Sequence, residues 1–147
     1  MDMRRDCETL CAVLCEIGWS SPESEAKAVH VVELKPTAPP VRDVVVALDE
    51  DEPALEVRVR FLPPSPHAST DRLVTALIRA NGAIRAGAFA LDDDDGSVFY
   101  RHTLFLGDRP LVADDVRRTV LTALETVAFH AVEIVQACTA RPVTIAA

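Results

Sequence analysis

The apolar positions of this chain keep two rhythms, a spacing of three or four residues and a strict alternation. Those rhythms divide it into helices and strands. Residues 3–18 place Met3, Cys7, Leu10, Cys11, Leu14, Cys15 and Ile17 on one arc, with Arg5, Glu8, Thr9 and Glu16 outside it. That is a one-sided amphipathic helix, closed at Gly18, where a left-handed residue ends a helix. Trp19 stands where it can fold back on the last turn. Ala28–Lys35 and Val41–Asp49 read as strands, separated by the proline-rich stretch Pro36 to Pro40, which cannot continue a ladder. Leu55–Leu62 alternates most cleanly, with Leu55, Val57, Val59 and Phe61 against Glu56, Arg58 and Arg60. The acidic turn Asp49–Pro53 joins it to the preceding strand as a hairpin.

After Pro63–His67, Ser69 or Thr70 caps a second helix that runs to about Ala80 and ends at Asn81-Gly82. Ala86–Leu91 and Val98–Leu106 form a second hairpin across Asp92–Ser97. From Asp114 to about Cys138 a long helix carries Val116, Val120, Leu124, Val127, Ala131, Ile134, Val135 and Cys138 on its apolar side. The Arg141-Pro142 tail closes the domain. There is no internal repeat and no interdomain linker. The order helix, three strands, helix, two strands, helix predicts an α+β domain over residues 1–147, a five-stranded antiparallel sheet with three helices against it.

Within this layout Asn81, Gly82, Gly87, Ala88, Phe89, Ala90, Leu91 and Asp92 resemble the pattern of YbjN-domain proteins, bacterial relatives of the type III secretion chaperone fold. By element order the resemblance covers most of the chain; residue by residue it holds from about Leu77 to Leu106. Val112 departs from it, because relatives tend to carry a capping hydroxyl there, and so does the longer stretch from Ser20 to Asp43. The resemblance implies a binding module rather than a catalyst. Such a module captures a partner protein or segment, in chaperoning or stress regulation, without a cofactor. Strand addition at a sheet edge and apolar grooves are the physical routes.

The last helix points to self-association. A helix lying on a sheet needs an apolar stripe of roughly 100°, and here Leu121, Ala128, Phe129 and Val132 widen it. About 25 residues also make a rod of ~37 Å, longer than the strands, so part of it is expected to overhang the sheet. A symmetric homodimer follows, with Val120, Leu124, Val127, Phe129, Ala131 and Ile134 at the interface.

Charge narrows the partners. A net charge of −8 repels phosphate, so nucleic-acid binding is not expected without a local basic patch. No run approaches the roughly 20 uninterrupted apolar residues of a membrane span. The opening MDMRRDCE lacks the apolar core of a secretory signal. The expectation is a soluble, cytoplasmic protein with no membrane partner. Arg58, Arg60 and Arg101 fall on one polar face if their strands share a sheet, and would steer an acidic partner segment as protein-binding residues. The plainer account is a solvated face balanced by Glu56.

Candidate chemistry is thin. Cys7, Cys11 and Cys15 form a ladder whose thiolates suit a soft metal or a redox sensor. Leu10 and Leu14 share their arc, however, and cysteine is commonly a core residue. Core packing is therefore the expectation. Asp92–Asp95 before Gly96 suggests a calcium loop, but with Gly96 sixth the first and twelfth places fall on Leu91 and His102, which cannot serve. His30, His67, His102 and His130 sit on four separate elements, and a pair such as His102 with Asp49 depends on tertiary assembly. No nucleophile, phosphate-loop or zinc motif occurs. The expectation is no catalytic residue, no metal and no cofactor, in a homodimeric protein-binding module. A dedicated type III effector chaperone and a thiol-based metal or redox sensor are the alternatives.

Overall fold

Alternation in the middle of the chain builds one antiparallel sheet, and the three-four spacing builds the helices that cover one of its faces. The computed structural model describes the backbone of residues 2–18, 23–26, 29–34 and 40–139, and the side chains of 2–18 and 40–139. The expectations for Trp19, for the proline-rich connection over 35–39 and for the Arg141-Pro142 tail lie outside these residues. The elements are α1 (Met3–Glu16), β1 (Glu23–Ala26), β2 (Val29–Leu34), β3 (Val41–Asp49), β4 (Ala54–Phe61), α2 (Thr70–Ala83), β5 (Ala88–Leu91), β6 (Val98–Phe105) and α3 (Ala113–Thr139).

The sheet has six strands rather than five, in the order β1-β2-β3-β4-β6-β5. Four of them, β3 to β6, carry described side chains. The extra strand is β1, whose Glu-Ser-Glu-Ala has little strand preference of its own. It is a strand because the backbone of β2 offers it a ladder.

The inner face of the sheet presents Val44, Val46 and Leu48 from β3, Leu55, Val57, Val59 and Phe61 from β4, and Val98 and Tyr100 from β6, all buried. α3 crosses β4 and β6, α2 reaches β5, and both α1 and α2 pack against α3. Residues of α3 from Val116 to Cys138 are buried along its whole length. At about 40 Å the helix is longer than the strands, and α1 and α2 pack against it, so that its buried stripe is not left in water. The amide of Ser65 also donates to the Cys138 carbonyl at 3.0 Å, tying down the C-terminal turn.

Three local expectations change. Asn81-Gly82 does not stop α2, which continues to Ala83 and breaks at Ile84, where the backbone turns extended. α3 starts without a capping hydroxyl: the Val112 carbonyl accepts from the amides of Asp115 (3.1 Å) and Val116 (3.4 Å). Asp114 and Asp115 then place negative charge at the positive end of the helix dipole. The buried side of α1 is Leu10, Val13 and Leu14 with Asp6, whereas Cys7 and Cys11 are half-buried and Cys15 is exposed. The cysteine ladder thus lies at the margin of the core, because the helix is rotated toward Val13.

Asp6 had no signal in the sequence. It is 1% exposed, and its Oδ1 accepts the Leu111 amide at 3.1 Å, fastening α1 to the segment between β6 and α3.

Candidate protein-binding surfaces

Strand alternation sends every second side chain of β3, β4 and β6 to the face that none of the described helices covers. Register then decides neighbours. Arg58 stands opposite Val45 on β3 and Arg101 on β6; Arg60 stands opposite Asp43 and Phe99. The expected gathering of Arg58, Arg60 and Arg101 on one face is what the sheet produces, but their partners differ. Arg60 grips Asp43 with two bonds, Nε to Oδ1 at 2.5 Å and Nη2 to Oδ2 at 2.6 Å, a bidentate, charge-assisted pair. Arg42 adds contacts to Asp43 (3.4 Å) and Asp95 (3.5 Å). Arg58 reaches Glu56 at 3.1 Å and lies 5.0 Å from the Phe99 ring centroid, a cation–π distance. Phe105 closes this face near the β3–β4 turn and is 69% exposed.

The second surface is the outer side of α3. Of the six residues expected at a dimer interface, Val120, Val127 and Ile134 are 0%, 4% and 0% exposed and belong to the core of one copy. They lie on the same 3.6-residue stripe as Val116 and Ala123, which the sheet consumes. Leu124 and Ala131 are half-buried beside that stripe. Only Phe129 is outward, 82% exposed, and it is joined by Val132 at 68% and Leu121 at 45%. The margin of the sequence pattern, not its centre, is what remains for a partner.

Between α2 and α3 an open groove of about 360 Å³ is lined by Arg72, Thr75, Arg79, Glu133 and Gln136, over the small side chains of Ala76 and Ala137. Arg79 faces Glu133 at 4.0 Å across it.

The edge of the sheet at β5 is closed at its centre. Asn81, from α2, donates its Nδ2 to the Phe89 carbonyl at 2.9 Å and accepts the Phe89 amide on Oδ1 at 2.7 Å. A side-chain amide thereby imitates the next strand. Strand addition at this edge, one of the routes implied by the resemblance, is blocked at Phe89.

Among the described residues the remaining polar groups do not converge. The carboxylates of the Asp92–Ser97 turn serve the turn itself: Asp92 Oδ1 accepts the Asp94 amide and Asp95 Oδ1 the Ser97 amide, each at 2.8 Å. The hydroxyl and amide of Ser97, then Arg42, hold the Asp95 carboxyl below the usual carboxylate range. Gly96 supplies a φ of 70°. His102 faces inward opposite Val57, with burial lowering its pKa, whereas Asp49 points to the other face opposite Ala54, so the two never meet. His130 is buried edge-on against Phe89 (5.8 Å between centroids) and Phe129 (5.0 Å). Among the described residues no three His, Cys, Asp or Glu side chains come together as a metal site. Burial pushes the Cys138 thiol up, while Cys15 is exposed. Because the thiolate is the reactive species, native-state alkylation read by peptide mass should modify Cys15 first and Cys138 last. Equal rates at the two would contradict this placement.

No protein-family model matches this chain, and no curated protein matches it. Solved structures do. E. coli YbjN, a candidate transcription regulator, superposes with a TM-score of 0.63 at 16% identity, covering 89% of this chain and 90% of YbjN. The ExsC–ExsE complex contains a chain matched at 0.61 and 16%, over 88% of this chain and 93% of that one. The HopA1–SchA chaperone–effector complex gives 0.59 and 12%, over 91% and 98%. The fold is therefore YbjN-like and secretion-chaperone-like, over nearly the whole length of each neighbour.

Proposed function

We propose that this chain is a non-catalytic, cytoplasmic protein-binding module that acts as a homodimer and holds a partner protein or segment in a chaperone-like way. The observation that carries the reading is the apolar surface left after a single copy has folded: Phe129, Val132 and Leu121 on α3, with Phe105 on the open sheet face. Each large side chain left in water forgoes about 1.5–3 kcal/mol of burial. Exposed apolar groups gathered on one helix face, as Leu121, Phe129 and Val132 are, mark a surface for another chain. The fold shared with a protein from a chaperone–effector complex supports the same reading.

For the homodimer, α3 supplies a self-complementary seam. Leu121, Ala128 and Val135 recur every seven residues, with Leu124 and Ala131 between them, the spacing that lets helices interlock. Ala128 at the middle permits close approach about a two-fold axis. Light scattering at micromolar concentration should give twice the 16.0 kDa chain mass, and Leu121→Asp with Ala128→Asp, at the exposed positions of the seam, should return it to a single copy. A wild-type protein at the mass of one chain removes the dimer. For the partner, affinity capture from the source cell with quantitative mass spectrometry should return one or a few clients in stoichiometric amount. These should re-form a complex from purified components. A protein that captures no such client would end the binding reading.

A narrower version, a dedicated chaperone for a type III effector, is favoured by the near-complete coverage of the chain matched in the HopA1–SchA complex. A gene lying beside secretion genes would support it.

A further inference from the structure

We propose that the face of the sheet that none of the described helices covers is the docking surface for an acidic, amphipathic, extended segment of the partner, its carboxylates held between Arg58 and Arg101 and its apolar side chains on Phe99 and Phe105. This deepens the protein-binding reading above and rests on it.

The register carries the argument. Arg58 on β4 and Arg101 on β6 are direct cross-strand partners, and like charges placed directly opposite repel. The other cations of this face are already answered: Arg60 by Asp43, and Arg42 by Asp43 and Asp95. Arg58 spends one Nη on Glu56, but its Nε is enclosed without an acceptor. Among the described residues no carboxylate pairs with Arg101, which is exposed. The two cations thus hold paired positions on one face, Arg58 lying over the Phe99 ring and Arg101 open to solvent, and a carboxylate between them satisfies both.

Apolar surface flanks the fork. Phe99 lies beneath Arg58, and Phe105 is exposed at the far end of the same strand face. Residues 99, 101, 103 and 105 line one side of β6, so an extended segment alternating acidic and apolar positions matches their period of two. The charge of the whole chain, −8, sharpens the choice. An acidic segment is repelled elsewhere, and screening confines the attraction to about 10 Å around the arginines.

The test uses the full-length protein and a fluorescein-labelled peptide alternating glutamate with leucine, compared with its lysine–leucine counterpart and a duplex DNA oligonucleotide. Anisotropy titrations should show binding of the glutamate peptide, weaker at high salt, and little binding of the lysine peptide. Arg101→Glu alone, at an exposed position, should weaken the glutamate peptide about tenfold, the change expected when a charge contact is reversed. Arg58→Glu with Arg101→Glu should abolish binding. Circular dichroism serves as the folding check. No preference for the glutamate peptide, or full binding by Arg101→Glu, overturns the proposal. DNA binding that disappears in the same variants overturns it in favour of a phosphate site. A client captured equally by wild type and the double variant defeats this surface but leaves the protein-binding reading intact. The absence of any client defeats that reading instead.

Discussion

Gly87→Ala should lower the melting temperature by roughly 10 °C, at about 3–4 °C per kcal/mol for a domain of this size. Two costs add. Gly87 has a φ of +72°, and a non-glycine residue in the left-handed region loses about 1–2 kcal/mol. An added Cβ would also fall against the Tyr100 hydroxyl and within 2.7 Å of the Arg101 carbonyl oxygen. Neither neighbour can move aside. Tyr100 is fully buried, its hydroxyl donates to the Ala86 carbonyl at 2.8 Å, and its ring lies 5.1 Å from that of Phe89. Overpacking of this kind costs about 1–3 kcal/mol. Gly82 is the internal control. It lies within α2 with nothing within 4 Å of an added Cβ. Gly82→Ala should therefore be neutral or stabilise by about 0.5–1 kcal/mol. Differential scanning calorimetry of the pair checks both, and equal melting temperatures for the two variants would refute the assignment of roles.

Asn81→Leu should destabilise by about 1.5–3 kcal/mol, because it leaves the amide and carbonyl of buried Phe89 without partners. Urea unfolding should show the loss as a lower midpoint with an unchanged slope. The functional consequence is separate from stability. With Asn81 gone, the outer backbone of β5 becomes an open strand edge, a template for pairing with other chains. The variant should associate progressively with concentration under native conditions, which static light scattering detects. Asn81→Asp keeps an acceptor for the amide but sets a carboxylate against the carbonyl, so it should recover only part of the loss. Full stability in Asn81→Leu would mean that the edge is not held by this side chain.

Both residues belong to the segment that carried the resemblance to YbjN-domain proteins, and both were visible there only as letters. Asn81-Gly82 reads as a helix stop, since this pair commonly turns the chain. In the fold the stop comes later, at Ile84, and the asparagine reaches sideways to a strand eight residues on. A turn signal and a lateral bridge look identical in one dimension. The arginines were more legible. Period two placed Arg58 and Arg60 on one face, with Arg101 joining them only if its strand shared the sheet, and which of them had a carboxylate depended on the pairing of β3 with β4 and of β4 with β6.

By itself the sequence determined the three helices, the strands from Val41 to Phe105, the buried face of the Leu55–Leu62 strand, the two acidic hairpin turns and the α+β class. These follow from local periodicity and turn chemistry, which act over a few residues. Only the tertiary structure decided that the polar segment Glu23–Ala26 joins the sheet, that α1 and α2 pack against α3, and that Val120, Val127 and Ile134 serve the core while Phe129 and Val132 remain outside. Each depends on where a neighbouring element stops, and an apolar side chain on a helix is inward or outward only relative to what packs against it.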